Sequence, residues 1–362
     1  MNAGVIREKN LDKVLLEWGI FMGSVLAIIP ARSGSKSVKD KNIRLMDGKP
    51  MLAYSIEHAQ KAQCIDRIIV STDSEEYAAI ARKYGAETPF LRPAEYATDT
   101  ALDYDVFLHA LTYLEREEGY IPELVVQLRP TYPIRRICDI ENMVNYLRNH
   151  PEIDSMRCVA PAKEVAYKMW HMDDQGLLSP IMKEIPECYN MPRQQLPQVY
   201  YQNACIDVVR TEVITKKHSM SGDVIAGYKM NDNFDIDTEE EFNKAEEYLK
   251  IVHGNQTFVF DIDGVIAQIQ KDLDYACSEP NERMIKVVNW LYGCGNKIVL
   301  FTARGYVTGK DWSKVTTEQM ERWGVKYHEL KFGKPNADYY VDDKMLSISR
   351  LYNLAHEAWG DL

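Results

Sequence analysis

The sequence is short of several features that would place it at once. No apolar run approaches the ~18–20 residues that a membrane-crossing helix needs, which excludes insertion as a helical span. Seven cysteines, an odd number, stand at 64, 138, 158, 188, 205, 277 and 294. None forms a Cys-x-x-Cys pair, so neither a zinc site nor a disulfide framework is signalled, and a reducing cytoplasm is the expectation. There is no low-complexity tract and no internal repeat of about 20–50 residues. Positive charge is in deficit: 43 Lys and Arg face 54 Asp and Glu, a net charge of −11. That argues against nucleic acid as the main partner, because phosphate backbones select basic faces. A nucleotide needs only a local basic pocket and stays open as a substrate. Residues 1–23 mix charges with Val14, Leu15, Leu16 and Trp18 and lack the uninterrupted apolar stretch and cleavage site of a signal peptide. They read as a short helical extension before the core, with Met22 an alternative start.

What is present is an alternating α/β pattern. At 362 residues, 46% hydrophobic and 27% charged, the chain suits two globular domains. VLAIIP (25–30), RIIVST (67–72) and ELVVQLRP (123–130) read as buried strands. MLAYSIEHAQKAQ and EEYAAIARKYG between them read as helices. Strands alternating with helices predict a mostly parallel, Rossmann-like sheet whose ligands bind beyond the carboxyl ends of the strands. The loops after residues 30, 72 and 130 are therefore where chemistry is sought. A Glu- and Lys-rich helix (238–252) leads to a polar linker, HGNQ (253–256). A second, smaller α/β unit then opens with TFVFDIDGV (257–265). The expected organisation is an extension over 1–23, a first domain over 24–252 and a second over 257–362.

In the first domain, IIPARSGSKSVKDKNI (28–43) follows a buried strand. Ser33, Gly34 and Ser35 offer backbone N–H groups to an anion, with Arg32, Lys36, Lys39 and Lys41 around them. Backbone donors and several cations together are what a triphosphate requires. The Gly-x-x-x-x-Gly-Lys-Ser/Thr order of an ATPase P-loop and Gly-x-Gly-x-x-Gly are both missing. The same composition also describes a basic, flexible surface turn. Further on, NFDIDTEEEF (233–242) puts Asp235 and Asp237 two apart on an extended segment, where both share one face. Such a pair suits magnesium when substrate phosphates complete the octahedron. It equally suits ordinary capping, with Asp237 and Thr238 just ahead of a Glu-rich helix.

Taken together, ARSGSKSVKDKN, STDSEEYA, LRPAEYATDTA, PRQQLPQ and FDIDTEEEF resemble, in order and spacing, the acylneuraminate (CMP-sialic acid) cytidylyltransferases over about residues 24–250. The resemblance implies that CMP passes from CTP to an acidic sugar with release of pyrophosphate, assisted by Mg2+. It places Arg32, Ser35, Lys36, Lys41 and Asn42 on the triphosphate and cytidine, and Arg92, Asp99 and Thr100 near the nucleotide. Asp235 and Asp237 would hold the metal, and Arg193 and Gln194 would face the acceptor. The sugar hydroxyl attacks the α-phosphorus in line, with Lys41 and Arg32 spreading the developing charge. Homo-oligomers, commonly dimers that complete each other's acceptor pockets, are also implied. The departures lie on the acceptor side. RPTYPIR (129–135) stands where sialate enzymes read Gln-Pro-Thr-Ser-Pro-Leu-Arg, and YYQNACID (200–207) lacks the expected arginine and tyrosine. Arg129 at that position either meets an acceptor carboxylate or phosphate or forms a structural ion pair. An octulosonate or a phosphate- or phosphonate-bearing small molecule therefore stays open as the acceptor.

In the second domain, FDIDGVIA, LFTARG, FGKP and YYVDDK resemble, in order, the haloacid-dehalogenase-like phosphatases. The resemblance implies Asp261 as nucleophile, Asp263 as proton donor, Thr302 and Lys334 on the phosphate, and Asp261, Asp263 and Asp342 around magnesium. Lys331 is a second candidate for the lysine. About 40 residues separate Asp263 from Thr302 and about 30 separate Thr302 from Lys334, which leaves little room for a cap domain. The expectation is a fused phosphatase acting on a related sugar phosphate; a core retained only for assembly is the alternative.

Overall fold

The computed structural model describes residues 23–35, 38–162, 164–230, 234–269, 274–337, 340 and 344–359. The extension over residues 1–22, Lys36 and Asp342 lie outside the described residues. The chain divides into two compact units, Met1–Phe242 and Asn243–Leu362. The division falls inside the helix Glu239–Val252, earlier than the 253–256 linker expected from the sequence. The last turns of that helix are anchored within the second unit, where the amide of Asn296 donates to the Ile251 carbonyl at 2.8 Å.

The first unit is built on a six-stranded sheet. Its strands are β1 (Val25–Pro30), β4 (Arg67–Ser71), β5 (Leu124–Leu128), β6 (Ser155–Pro161), β9 (Tyr200–Arg210) and β10 (Ile225–Lys229). Two short hairpins, β2 (Leu45–Met46) with β3 (Lys49–Pro50) and β7 (Trp170–Met172) with β8 (Leu178–Pro180), lie outside it. The strand order is β10-β6-β9-β5-β1-β4. β1 pairs in parallel with both β4 and β5, and β10 with β6. Only β9 runs antiparallel, to β5 on one side and β6 on the other. β1 and β5 are apolar and buried along nearly their whole length because helices cover both faces, which is why they read as continuous runs. The helix Asp103–Glu118 turns Val106, Phe107, Ala110, Leu111 and Leu114 onto Leu26, Ile69 and Val125. Each large side chain so buried contributes about 1.5–3 kcal/mol. From β1 the chain moves first to β4 and then back to β5, so the order reverses at β1. The loops after β1, β4 and β5 thus open onto one crevice at a topological switch point.

The second unit carries a three-stranded parallel sheet of β11 (Thr257–Phe260), β12 (Lys297–Thr302) and β13 (Glu329–Phe332), in that order. Met284, Val287, Val288 and Leu291 of the helix Glu282–Gly293 are buried, as are Ile298 and Leu300 of β12. β11 stops at Phe260, so Asp261 and Asp263 follow directly on the end of the strand. Beyond it the chain turns, with Ile266 and Ala267 N–H both donating to the Ile262 carbonyl at 2.9 and 2.8 Å. Among the described residues no helix is long and apolar enough to cross a membrane.

Candidate active site

In the first unit the crevice beyond β1 brings together segments almost 200 residues apart. Lys41, only 7% exposed, donates from Nζ to the Ile236 carbonyl at 2.6 Å and to Asp237 Oδ1 at 3.1 Å. Ile236 N–H in turn donates to the Thr131 carbonyl at 2.9 Å, so residues 235–237 are seated on the loop after β5. The capping alternative for Asp237 is resolved by its neighbours. Thr238 Oγ1 accepts from Glu241 N–H at 3.2 Å, and Glu241 Oε2 accepts from Thr238 N–H at 2.9 Å. This reciprocal box caps the helix and leaves the Asp237 carboxylate to Lys41. Burial, first, and the adjacent Asp237 push the Asp235 carboxyl above its usual range, against a hydrogen bond with Thr131 and the charges of Lys41 and Arg129. Carboxylates of this kind are the ligands a hard divalent cation takes when phosphates complete the shell; among the described residues the protein itself assembles no group of three or more such ligands.

The loop after β1 differs from expectation in one respect. Ser33 N–H, expected to face a ligand anion, meets Asp73 instead: it donates to Oδ1 at 2.8 Å, while Ser33 Oγ donates to Oδ2 at 2.7 Å. Gly34 follows at φ +72°, a left-handed conformation that side chains disfavour. Ser35 is half-buried and Lys39 exposed. The other end of the loop is tied by Asn42, whose amide donates to the Arg32 carbonyl at 2.9 Å. Arg32 pairs with Asp99 at 2.8 Å, and Thr100 beside it is exposed. The structure thus assembles Arg32, Lys41, Asn42, Asp99, Asp235 and Asp237 around this crevice.

Other expected contacts are placed differently. Arg92 is buried, its guanidinium donating to Ser71 Oγ at 3.1 Å, to the Ser71 carbonyl and to the Tyr96 carbonyl. It braces the end of β4, and burial lowers its pKa to about 10. Arg129, expected at the acceptor, is engaged by two carboxylates: Asp207 at 2.9 Å and Asp103 at 2.8 Å. Gln127 also donates to Asp103 at 2.9 Å. Arg193 and Gln194 lie on the exposed turn Arg193–Gln195, where Arg193 pairs with Glu164 at 3.4 Å. Among the described residues no hydrogen bond or ion pair joins these two to Lys41 or Asp237. Asp73, Asp103 and Asp207 were missed in the sequence. Asp73 was legible in principle, since it lies two residues beyond β4.

In the second unit, Asp261, Thr302 and Lys334 converge at the carboxyl ends of the three strands. Lys334 Nζ meets Asp261 Oδ2 at 2.5 Å, and Lys334 N–H donates to the Thr302 carbonyl at 3.1 Å. Lys331, the other lysine considered, pairs with Glu329 at 2.9 Å. Arg304 was not foreseen. Its side chain is fully buried and grips both oxygens of Asp263, from Nε at 2.9 Å and Nη2 at 2.7 Å. Its Nη1 reaches Gln319 Oε1 at 2.6 Å. Gly305 follows at φ +85°, where a Cβ would lie 2.4 Å from the Lys310 carbonyl. Both Asp263 oxygens thus accept from Arg304, which fixes the orientation of the carboxylate at the strand ends.

The comparisons agree with the first unit. N-acylneuraminate cytidylyltransferase of Escherichia coli is 39% identical over 135 residues, covering 37% of this chain and 30% of that protein. The chain therefore spans less than a third of that relative's length. Post-translational flagellin modification protein B of Campylobacter coli is 32% identical over 236 residues, covering 63% of this chain and 96% of that protein. CMP-N,N'-diacetyllegionaminic acid synthase of Legionella pneumophila is 29% identical over 231 residues, covering 63% and 97%. Residues 26–257 match the family described as Cytidylyltransferase, and with the strand-end crevice they cover, they show that the chain belongs to that family.

Proposed function

We propose that the first unit transfers CMP from CTP to an acidic sugar of the nonulosonic type and releases pyrophosphate. The observation that carries this reading is the meeting of Lys41 with Ile236 and Asp237 at the mouth of the β1 crevice. The family match and the printed names of the relatives support the substrate class. Asp235 and Asp237 would hold Mg2+, which when bound supplies charge neutralisation to the phosphates. Arg32 and Lys41 orient the triphosphate and stabilise charge on the phosphoryl oxygens, and the sugar hydroxyl displaces pyrophosphate at the α-phosphorus. The exposed Trp170, Met172 and Leu178 of the β7–β8 hairpin favour a homodimer.

For the second unit we propose a phosphatase acting on a related sugar phosphate. Asp261 would attack phosphorus, the sugar oxygen would leave, and water would then release phosphate from the aspartyl ester. The convergence of Asp261, Thr302 and Lys334 supports this. Pyrophosphate release measured with CTP, magnesium and a panel of sugar acids tests the first activity, with Asp235→Ala as control. Turnover with no acid, or full turnover in Asp235→Ala, would overturn it. Phosphate release from the corresponding esters, abolished by Asp261→Asn, tests the second.

A further inference from the structure

A carboxylate beside a site for a polyphosphate is electrostatically costly, yet Asp73 stands two residues past β4 and next to the loop after β1. β1 and β4 are adjacent parallel strands, paired Pro30 with Ser71, and Ala31 N–H still donates to the Ser71 carbonyl at 2.9 Å. Beyond that point the backbone ladder ends. The next link between the two chains is Asp73, which takes the Ser33 amide on one oxygen at 2.8 Å and the Ser33 hydroxyl on the other at 2.7 Å. Burial pushes its carboxyl up, but the two Ser33 bonds, its own backbone amide and the Arg92 charge together hold it below the usual range.

We propose that Asp73 is a positioning residue for the nucleotide loop. By accepting both donors of Ser33 it fixes residues 31–35 at the N-terminal side, as the Asn42 amide does from the other end through the Arg32 carbonyl at 2.9 Å. Between these two ties lie Gly34, at φ +72°, and Ser35, whose N–H groups stay available to phosphate oxygens. Asp73 is an internal anion that occupies the donors nearest β4 and thereby sets which donors the loop presents to CTP. A neutral amide at 73 can accept from the Ser33 amide but meets the Ser33 hydroxyl only by donating to it, so both bonds lose their charge assistance. This assignment rests on the cytidylyltransferase reading of the first unit.

The test uses the full chain and two readouts. The first is the dissociation constant of CTP, by calorimetry, for wild type, Asp73→Ala, Asp73→Asn, Ser33→Ala and the Asp73→Ala/Ser33→Ala double variant. Loss of two charge-assisted bonds predicts CTP binding at least about tenfold weaker in Asp73→Ala, with Asp73→Asn in between. The double variant should be no weaker than Asp73→Ala, because both substitutions remove the same link. In turnover, KM for CTP rises while KM for the sugar acid holds. The second readout is amide exchange of residues 31–35 without ligand, which should quicken in Asp73→Ala while that of β5 does not. Unchanged CTP affinity and unchanged exchange in Asp73→Ala overturn the proposal, as do equal increases in both KM values. A wild type that binds CTP but transfers CMP to no acceptor sinks the transferase reading and leaves the Asp73 assignment standing on affinity and exchange.

Discussion

Replacing Arg129 by glutamine restores the amide that sialate enzymes carry at this position, and the structure sets what that should cost. Arg129 bridges Asp207 at 2.9 Å and Asp103 at 2.8 Å. The Asp103 side chain is 44% exposed, so on losing its partner it is solvated by water, at a cost of about 0–1 kcal/mol. Asp207 is only 4% exposed, and stranding a buried carboxylate costs about 3–5 kcal/mol. That penalty is softened because Arg157 remains 3.8 Å away and the Gln202 amide 3.3 Å away. The balance predicts a loss of about 2–3 kcal/mol in the first unit. Two compact units make a single global unfolding free energy ill-defined. Amide exchange of β5 and β9 peptides, followed by mass spectrometry, reads the first unit alone. Adding Asp207→Asn should return at least half of the loss, since it removes the stranded charge. If β5 and β9 exchange as in wild type, or if the two substitutions simply add, the ion-pair account of Arg129 is refuted.

Three further outcomes follow from other contacts. Burial, ahead of Arg135, Lys61 and Lys49, lowers the His58 pKa to about 3. The unfolded chain therefore takes up a proton below about pH 6.5 that the fold does not, and stability should fall progressively from there toward pH 3. His58→Gln should flatten that slope when amide protection factors of the helix Met51–Lys61 are followed across pH, and an unchanged slope refutes it. Ser74 caps the helix Glu75–Lys83 by accepting from Tyr77 N–H, so Ser74→Ala should cost about 1 kcal/mol, read as faster amide exchange in that helix. Arg304→Met leaves Asp263 without its bidentate partner and should destabilise the second unit by about 3 kcal/mol, while Arg304→Met with Asp263→Asn costs less; protection of β12 amides reports it.

The contrast between what was legible and what was not has a physical cause. β1, β4, β5 and β12 show in the sequence because a strand covered on both faces must be apolar throughout, and that is a local property. β9 was read only for its side chains, and its antiparallel course depends on partners about 50 and 80 residues away. The Thr238-x-x-Glu241 spacing is itself a capping signature, so the sequence held the means to free Asp237 from the capping role.

Polar partners at the strand ends follow a different rule. Arg129 pairs with Asp103 and Asp207, Arg304 with Asp263, and Ser33 with Asp73, all across loops whose spacing carries no periodicity. Each pairing is fixed by which strands lie side by side, and β1 beside β4 is what turns Asp73 toward Ser33. Charge-bearing motifs therefore name the chemistry a crevice can perform, whereas the strand order decides which of those charges remain available to a ligand. Lys41 illustrates the same rule, since its ammonium is shared between the Ile236 carbonyl and Asp237, residues that the Ile236–Thr131 bond seats on the loop after β5. Arg92, Arg129 and Arg304 are likewise each held by neighbouring strand ends and loops, through Ser71, through Asp103 with Asp207, and through Asp263.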